Sequence, residues 1–272
     1  MAIEVMNRVE SKYMITGETR EKLLETIIGY TELDEYNREN EFYTISNIYY
    51  DTDDNNLIRT SLSKPKYKEK VRLRAYGVPC ENDKVYLEIK KKFNGVVNKR
   101  RSTFKLNEAY EFIEARQLKE VKPYTNEQIV KEITYTLNQY NPQPKVYIAY
   151  DRQSYIGENG LRITFDKNIR TRRDNLCLED GDYGEYLLPE NLFLMEIKIE
   201  GVMPLWLARL LSENDVFQTS FSKYGTEYKK YLVNGGQEKC LTQSLKQQKQ
   251  QQKQLRKQQQ PLHGSHRSVQ LV

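Results

Sequence analysis

The sequence predicts an α+β fold in which antiparallel strands dominate, helices pack against them and a Gln/Lys-rich tail follows. Three observations predict it. Short strand-like pieces repeat an alternation of apolar and ionic residues, amphipathic helical segments interrupt them, and beyond Gln243 the chain has too few apolar residues to pack. With 272 residues, 38% hydrophobic and 30% charged, the chain can bury a core in one large or two ordinary domains.

The alternation is the most informative of the three. Leu87-Glu88-Ile89-Lys90 and Met195-Glu196-Ile197-Lys198 carry the same Glu-x-Lys step, and Arg72-Leu73-Arg74 and Arg8-Val9-Glu10-Ser11-Lys12 alternate in the same way. Successive side chains of a strand point to opposite faces, so each piece has one ionic face. Strands closed around one another with these faces inward make a charged channel suited to a polyanion. An open antiparallel sheet with one wet side gives the same pattern. Periodicity alone leaves both readings standing.

In chain order, a strand is expected over Val5–Ile15 and a helix over Glu18–Ile28, which Gly29 ends. Strands follow over Tyr43–Asp51, Lys70–Ala75, Lys84–Lys91 and Val97–Lys105, the last two joined by a hairpin turn at Phe93-Asn94-Gly95. Helices are expected over Asn107–Glu120 and Asn126–Gln139, each opening at an Asn cap, with Pro142 and Pro144 beyond them. Strands resume over Val146–Tyr155, Leu161–Asp166 and Leu192–Glu200, with a turn at residues 157–160. Pro204 suits the first turn of a helix through Leu210, and a last helix covers Tyr224–Leu232. The expected domain is residues 1–236, and 237–272 form the tail.

Charge excludes some functions. From Gln237 onward seven Lys/Arg face one Glu, a tail net charge of +6 out of the chain's +5, so the preceding part carries −1. The body is not a basic protein, and the tail has no aromatics to stack on bases, so no nucleic-acid partner is expected. A focused basic field inside a cleft is compatible with that neutral total. Cys80, Cys177 and Cys240 are odd in number and widely spaced, which fits neither a disulfide framework nor a zinc site and agrees with a cytoplasmic location. No stretch reads as a signal peptide or membrane span, which leaves a membrane partner to a separate chain.

Histidine occurs only at His263 and His266, in the tail, so no Ser-His-Asp or Cys-His arrangement is available to the body. Neither a P-loop nor a G-x-G-x-x-G motif is present. What remains is carboxylate, guanidinium and ammonium chemistry, which suits phosphoryl transfer, where placement and charge neutralisation matter most. A phosphate acceptor is already ionised and requires no strong base.

The ordered set Arg8-x-Glu10-x-Lys12, Ser46–Asp51, Arg72–Gly77, Glu88-Ile89-Lys90, Lys99–Arg101, Tyr150-Asp151-Arg152, Leu161–Asp166, Glu196-Ile197-Lys198 and Phe221–Gly225 resembles the catalytic domain of the vacuolar transporter chaperone (VTC) polyphosphate polymerases, within the triphosphate tunnel metalloenzyme (CYTH-like) superfamily. The resemblance spans Arg8 to Leu232. It implies a closed eight-stranded antiparallel barrel with helices outside, and a polymerase that moves the ATP γ-phosphoryl group to a polyphosphate chain. Lys12, Arg72, Arg74, Lys90, Lys99, Arg101, Tyr150, Arg152, Arg162 and Lys223 would contact phosphates. Glu196 and Glu10 would hold Mn²⁺ or Mg²⁺, and Arg72, Arg74, Lys198 and Lys223 would serve the transfer. ATP and inorganic polyphosphate are the implied partners. The superfamily's hydrolases begin Glu-x-Glu-x-Lys where this chain has Arg8, a loss that weakens the case for a second metal. Hydrolysis of tripolyphosphate or a nucleoside triphosphate, and binding of polyphosphate without turnover, are the rival functions.

Overall fold

A computed structural model describes residues 8–94 and 96–233. Its order is β1 (Arg8–Thr16), α1 (Gly17–Ile27), β2 (Thr31–Leu33), a 3₁₀ turn (Glu35–Asn37), β3 (Tyr43–Asp51), α2 (Asn56–Leu62), β4 (Tyr67–Tyr76), β5 (Lys84–Phe93), β6 (Val96–Lys105), α3 (Leu106–Ala115), α4 (Glu127–Tyr140), β7 (Gln143–Gly157), β8 (Arg162–Arg172), β9 (Glu185–Tyr186), β10 (Leu192–Glu200), α5 (Leu205–Glu213) and α6 (Lys223–Tyr231). The chain divides into one unit through Glu227 and a second from Tyr228. Of the second, the described residues run to Val233 and end α6; the expected boundary at 236 and the Gln/Lys tail lie outside the described residues, as do residues 5–7 of the first expected strand.

The strands form one antiparallel sheet in the order β1-β10-β8-β7-β3-β4-β5-β6, with β2 pairing β7 and β9 pairing β8. Eight strands lie on this path, as expected, but the expected closure is not observed: among the described residues β1 and β6 do not pair, and the barrel is open. An edge strand carrying Lys99, Arg100 and Arg101 in succession resists further pairing, because charge blunts an edge. The sheet still curls. Lys90 of β5 comes within 4.0 Å of Glu10 on β1, although five strands lie between them along the path.

Alternation along each strand separates two faces. The outer face is apolar and is covered by helices in two blocks. Val71, Leu73, Val85, Leu87 and Ile89 pack with Phe112 of α3 and Ile133 of α4. Tyr13, Ile163, Phe165, Met195 and Ile197 pack with Leu23 of α1 and Leu207 of α5. Burying each such side chain stabilises the fold by about 1.5–3 kcal/mol, so the helices hold the sheet in its curl. The inner face keeps the ionic residues.

Element boundaries moved where local cues were overridden. α3 stops at Ala115 rather than Glu120 because Arg116 takes a left-handed φ of 55° as C-cap. α4 keeps its expected cap, Asn126 Oδ1 accepting from Ile129 N at 3.1 Å. β8 runs on to Arg172 through a register shift between Ala149 and Asp151 of β7.

Candidate functional site

The concave face gathers the alternating residues of β1, β10, β8, β7, β3, β4, β5 and β6. Register sets their neighbours: Lys12 opposes Glu196, Arg152 opposes Asp166, Arg74 opposes Asn47 and Tyr86, and Arg72 opposes Tyr49 and Glu88. Two ionic networks result.

The first is built on carboxylates. Glu196, buried, accepts from Lys12 Nζ at 3.0 Å and from Lys198 Nζ at 3.3 Å, with Lys223 Nζ 3.7 Å away. Asp166, fully buried, accepts both Nε and Nη2 of Arg152, at 2.6 and 2.8 Å, and Lys223 Nζ at 2.5 Å. Glu10 lies 3.3 Å from Lys12. Burial pushes the Glu196 carboxyl up, but Lys223, Lys198 and Lys12 more than offset it and hold it well below the carboxylate range. Burial likewise raises Asp166, and Arg152 and Lys223 bring it down on balance. Both are anions at neutral pH. Lys198 is pushed down by burial despite Glu196.

The second network is built on arginines. Arg72 donates through Nε to Glu88 (2.6 Å) and through Nη1 to the Tyr49 hydroxyl (3.0 Å). Arg74 donates through Nε to Asn47 (2.9 Å) and through Nη2 to the Tyr150 hydroxyl (3.0 Å). Guanidinium has five donors, so each fork keeps N–H groups for another acceptor. Lys99 reaches Glu88 at 2.7 Å, and Arg101 lies over the Tyr86 ring at 4.9 Å. Burial raises the Tyr49 phenol, yet Arg72, Arg74 and Lys70 hold it down at about 8. Burial and neighbouring Lys90, Lys68 and Lys12 lower Lys70 to about 8, with Tyr49 opposing. This is a surface short of negative charge.

α6 joins the two networks. Lys223, its first residue, sits 4.2 Å over the Tyr150 ring as well as on Asp166, and the preceding Ser222 accepts from Lys70 Nζ at 3.2 Å. Tyr224 anchors this end by donating to Asp51 at 2.9 Å, and Asp51 in turn caps α2 through Leu57 N and Ile58 N.

Of the residues singled out in the sequence, Lys12, Glu10, Glu196, Lys198, Arg152 and Lys223 meet in the first network, and Arg72, Arg74, Lys99 and Tyr150 in the second. Lys90 lies between them near Glu10. Arg162 stands apart, donating to Asp34 (2.7 Å) and Ser154 (3.0 Å) at the end of the face where β3 and β8 begin. Asp166, Glu88, Tyr49, Asn47 and Lys70 carry the site as much as these do. They are absent from the predicted site residues, although Glu88 falls on the ionic face of a strand picked out by alternation and Asp166 closes the Leu161–Asp166 piece of the resemblance.

Among the described residues no three acidic, His or Cys side chains cluster closely enough to cage a metal. Mg²⁺ and similar hard cations are commonly bound instead by one or two carboxylates together with substrate phosphates. Glu196 and Glu10, diagonal neighbours across β10 and β1, fit that mode, since a bound polyanion would draw the three ammonium groups away from Glu196.

Fold and site together define a curled β-sheet whose concave, cation-lined face suits a polyanion. The chain belongs to the VTC domain family, whose model matches residues 7–232. Among solved structures it is similar to a Bacillus halodurans protein described as a candidate adenylate cyclase, with 14% identity and a TM-score of 0.48 over 80% of this chain and 96% of that one. A Hippeastrum protein described as a candidate adenylyl cyclase with dominant triphosphatase activity is similar at 14% identity and a TM-score of 0.47, over 80% of this chain and 93% of that one. No curated protein matches the sequence. No helix among the described residues is long and apolar enough to cross a membrane.

Proposed function

We propose that the protein is a polyphosphate polymerase that transfers the γ-phosphoryl group of ATP to the end of a polyphosphate chain. The observation that carries this reading is the pairing of two guanidinium forks, Arg72 and Arg74, with an ionised carboxylate, Glu196, on one concave face of a VTC domain. The spare donors of both arginines match phosphate oxygens in pairs. Lys12, Lys198 and Lys223 surround Glu196 and neutralise further phosphate charge once an anion competes for them.

The terminal oxygen of the growing chain attacks the γ-phosphorus, the bond to the β-phosphate oxygen breaks, and ADP leaves with that oxygen. The attacking oxygen is already anionic, so no side chain has to remove its proton. Arg72 and Arg74 orient the phosphates in line and stabilise the charge that moves to ADP. Glu196, with Glu10, would hold Mn²⁺ or Mg²⁺, which when bound supplies neutralisation of the β- and γ-phosphate oxygens. Asp166, held by Arg152 through both of its oxygens, in turn positions Lys223 beside Glu196.

The test is incubation of purified protein with ATP and Mn²⁺, with and without short polyphosphate, followed by resolution of chain lengths and assay of orthophosphate. Long chains that fail to form in Arg72→Ala are the expected result. Orthophosphate without polymer would replace this reading with hydrolysis, and no product of either kind would replace it with anion binding alone.

A further inference from the structure

The two arginines of β4 are held in different ways. Arg72 bonds the Glu88 carboxylate and the Tyr49 hydroxyl, so an acid already offsets its charge. Arg74 is buried, and a buried charge is ordinarily paired with an opposite one. It bonds neutral groups instead, the side-chain carbonyl of Asn47 at 2.9 Å and the Tyr150 hydroxyl at 3.0 Å. Asn47 lies on β3, the strand between β4 and β7, and is fully buried, with Arg74 opposite it on one side and Ile148 on the other. Its Oδ1 accepts from Arg74 Nε while its Nδ2 donates to the Ile148 carbonyl at 2.9 Å.

A side chain in this place has to accept on one side and donate on the other, and a neutral amide does both. The backbone carbonyl of Ile148 fixes which way the amide faces, because a flipped amide would set NH₂ against the guanidinium and oxygen against oxygen. Aspartate would hold Arg74 but oppose the Ile148 carbonyl and take up the guanidinium charge. Leucine would fill the space and leave two buried polar groups without partners. We propose that Asn47 is a positioning and specificity-determining residue that aims Arg74 at the concave face without neutralising it, so that the charge of Arg74 is kept for a phosphate. The proposal rests on the phosphate-binding part of the function proposed above. It adds to that reading which of the two forks meets the anion with an undivided charge, and what keeps it so.

The experiment measures tripolyphosphate binding without divalent metal, by calorimetry at several salt concentrations, for wild type, Asn47→Asp, Asn47→Leu and Thr103→Asp. The last places an equal charge on β6, with Tyr86 standing between it and Arg74 in the register. Asn47→Asp is expected to lose at least about tenfold in affinity and part of the salt dependence. Asn47→Leu is expected to lose only about threefold with its salt dependence kept, and to have the lower melting temperature of the two because both buried partners are orphaned. Affinity and stability then fall in opposite orders, which a scaffolding role alone does not produce. Leu losing as much affinity as Asp, Thr103→Asp losing as much as Asn47→Asp, or no loss in either Asn47 variant would overturn the proposal. Should the Asn47 variants not fold, Glu88→Gln gives Arg72 the neutral kind of partner that Arg74 has; it is expected to tighten tripolyphosphate binding, and unchanged or weaker binding would overturn the proposal by itself. The expected pattern in a protein that makes no polymer from ATP would keep the role of Asn47 and discard the polymerase reading, so the two fail separately.

Discussion

The two halves of the curled sheet use opposite electrostatic designs. On β1, β10 and β8 each buried carboxylate is surrounded by cations: Glu196 by Lys12, Lys198 and Lys223, and Asp166 by Arg152 and Lys223. On β4, β5 and β6 four cations, Arg72, Arg74, Lys70 and Lys99, share the concave face with one buried carboxylate, Glu88. In the first half each of these cations is paired with a carboxylate, whereas in the second Arg74 and Lys70 bond only neutral groups, Asn47, Tyr150 and Ser222. A half whose cations are all paired can exchange its lysines for a metal when phosphate arrives, whereas unpaired cations take their counter-charge from the phosphate itself. On the proposed function, this difference gives placement of the anion to the arginine half and charge management during transfer to the carboxylate half.

The largest effects should come from breaking each half at its centre. Arg72→Ala or Arg74→Ala removes a charge-assisted fork and is expected to lower polymer formation by at least about 100-fold, together with a clear loss of tripolyphosphate affinity by calorimetry. Asp166→Asn leaves the buried Arg152 and Lys223 without their shared anion. Removing one partner of a buried pair costs about 3–5 kcal/mol, which should appear as a lower denaturation midpoint in urea that added tripolyphosphate partly restores. The same substitution at exposed Asp53 should not reproduce it.

A smaller effect separates the halves by pH. Lys70 is lowered to about 8 in the free protein, and a bound anion beside it favours the ammonium form. A lysine lowered in the free state and raised in the complex takes up a proton on binding. Tripolyphosphate affinity is therefore expected to fall as pH rises through about 8, with proton uptake visible when calorimetry is repeated in buffers of different ionisation enthalpy. Lys70→Met should flatten that dependence. The carboxylates give the opposite sense: Glu88, Glu196 and Asp166 are depressed in the fold, so the stability they contribute is present above the ordinary carboxylate range and lost as pH falls through their lower folded values. The smallest change is Thr16→Ala. Thr16 Oγ1 caps α1 by accepting from Thr19 N at 3.2 Å, and its loss should cost about 1 kcal/mol of stability without altering product formation.

Much of this was legible in the sequence because alternation is a strong signal wherever one face is ionic and the other apolar. The Glu-x-Lys steps at Glu88 and Glu196 and the Arg72-x-Arg74 step were located on strands whose inner face they occupy. What alternation cannot encode is who faces whom. Asp166 becomes the partner of Arg152 only through the β7–β8 register, and Asp34 reaches Arg162 across 128 residues. α2 is a short helix whose first amides are held by Asp51 at the end of β3 rather than by Asn55 at the cap position, so no ordinary cap announced it. Barrel closure likewise depends on the backbone edges of β1 and β6, about which side-chain periodicity says nothing.

The division of labour between the halves is tested most directly by measuring tripolyphosphate affinity of Glu196→Gln and Arg72→Ala by calorimetry in the absence of divalent metal, with polymer formation measured on the same preparations. The account predicts that Glu196→Gln binds at least as tightly as wild type, because three ammonium groups are released from their carboxylate, yet makes no polymer, whereas Arg72→Ala loses both. Equal loss of affinity in the two variants, or polymer formation by Glu196→Gln at the wild-type rate, would contradict it.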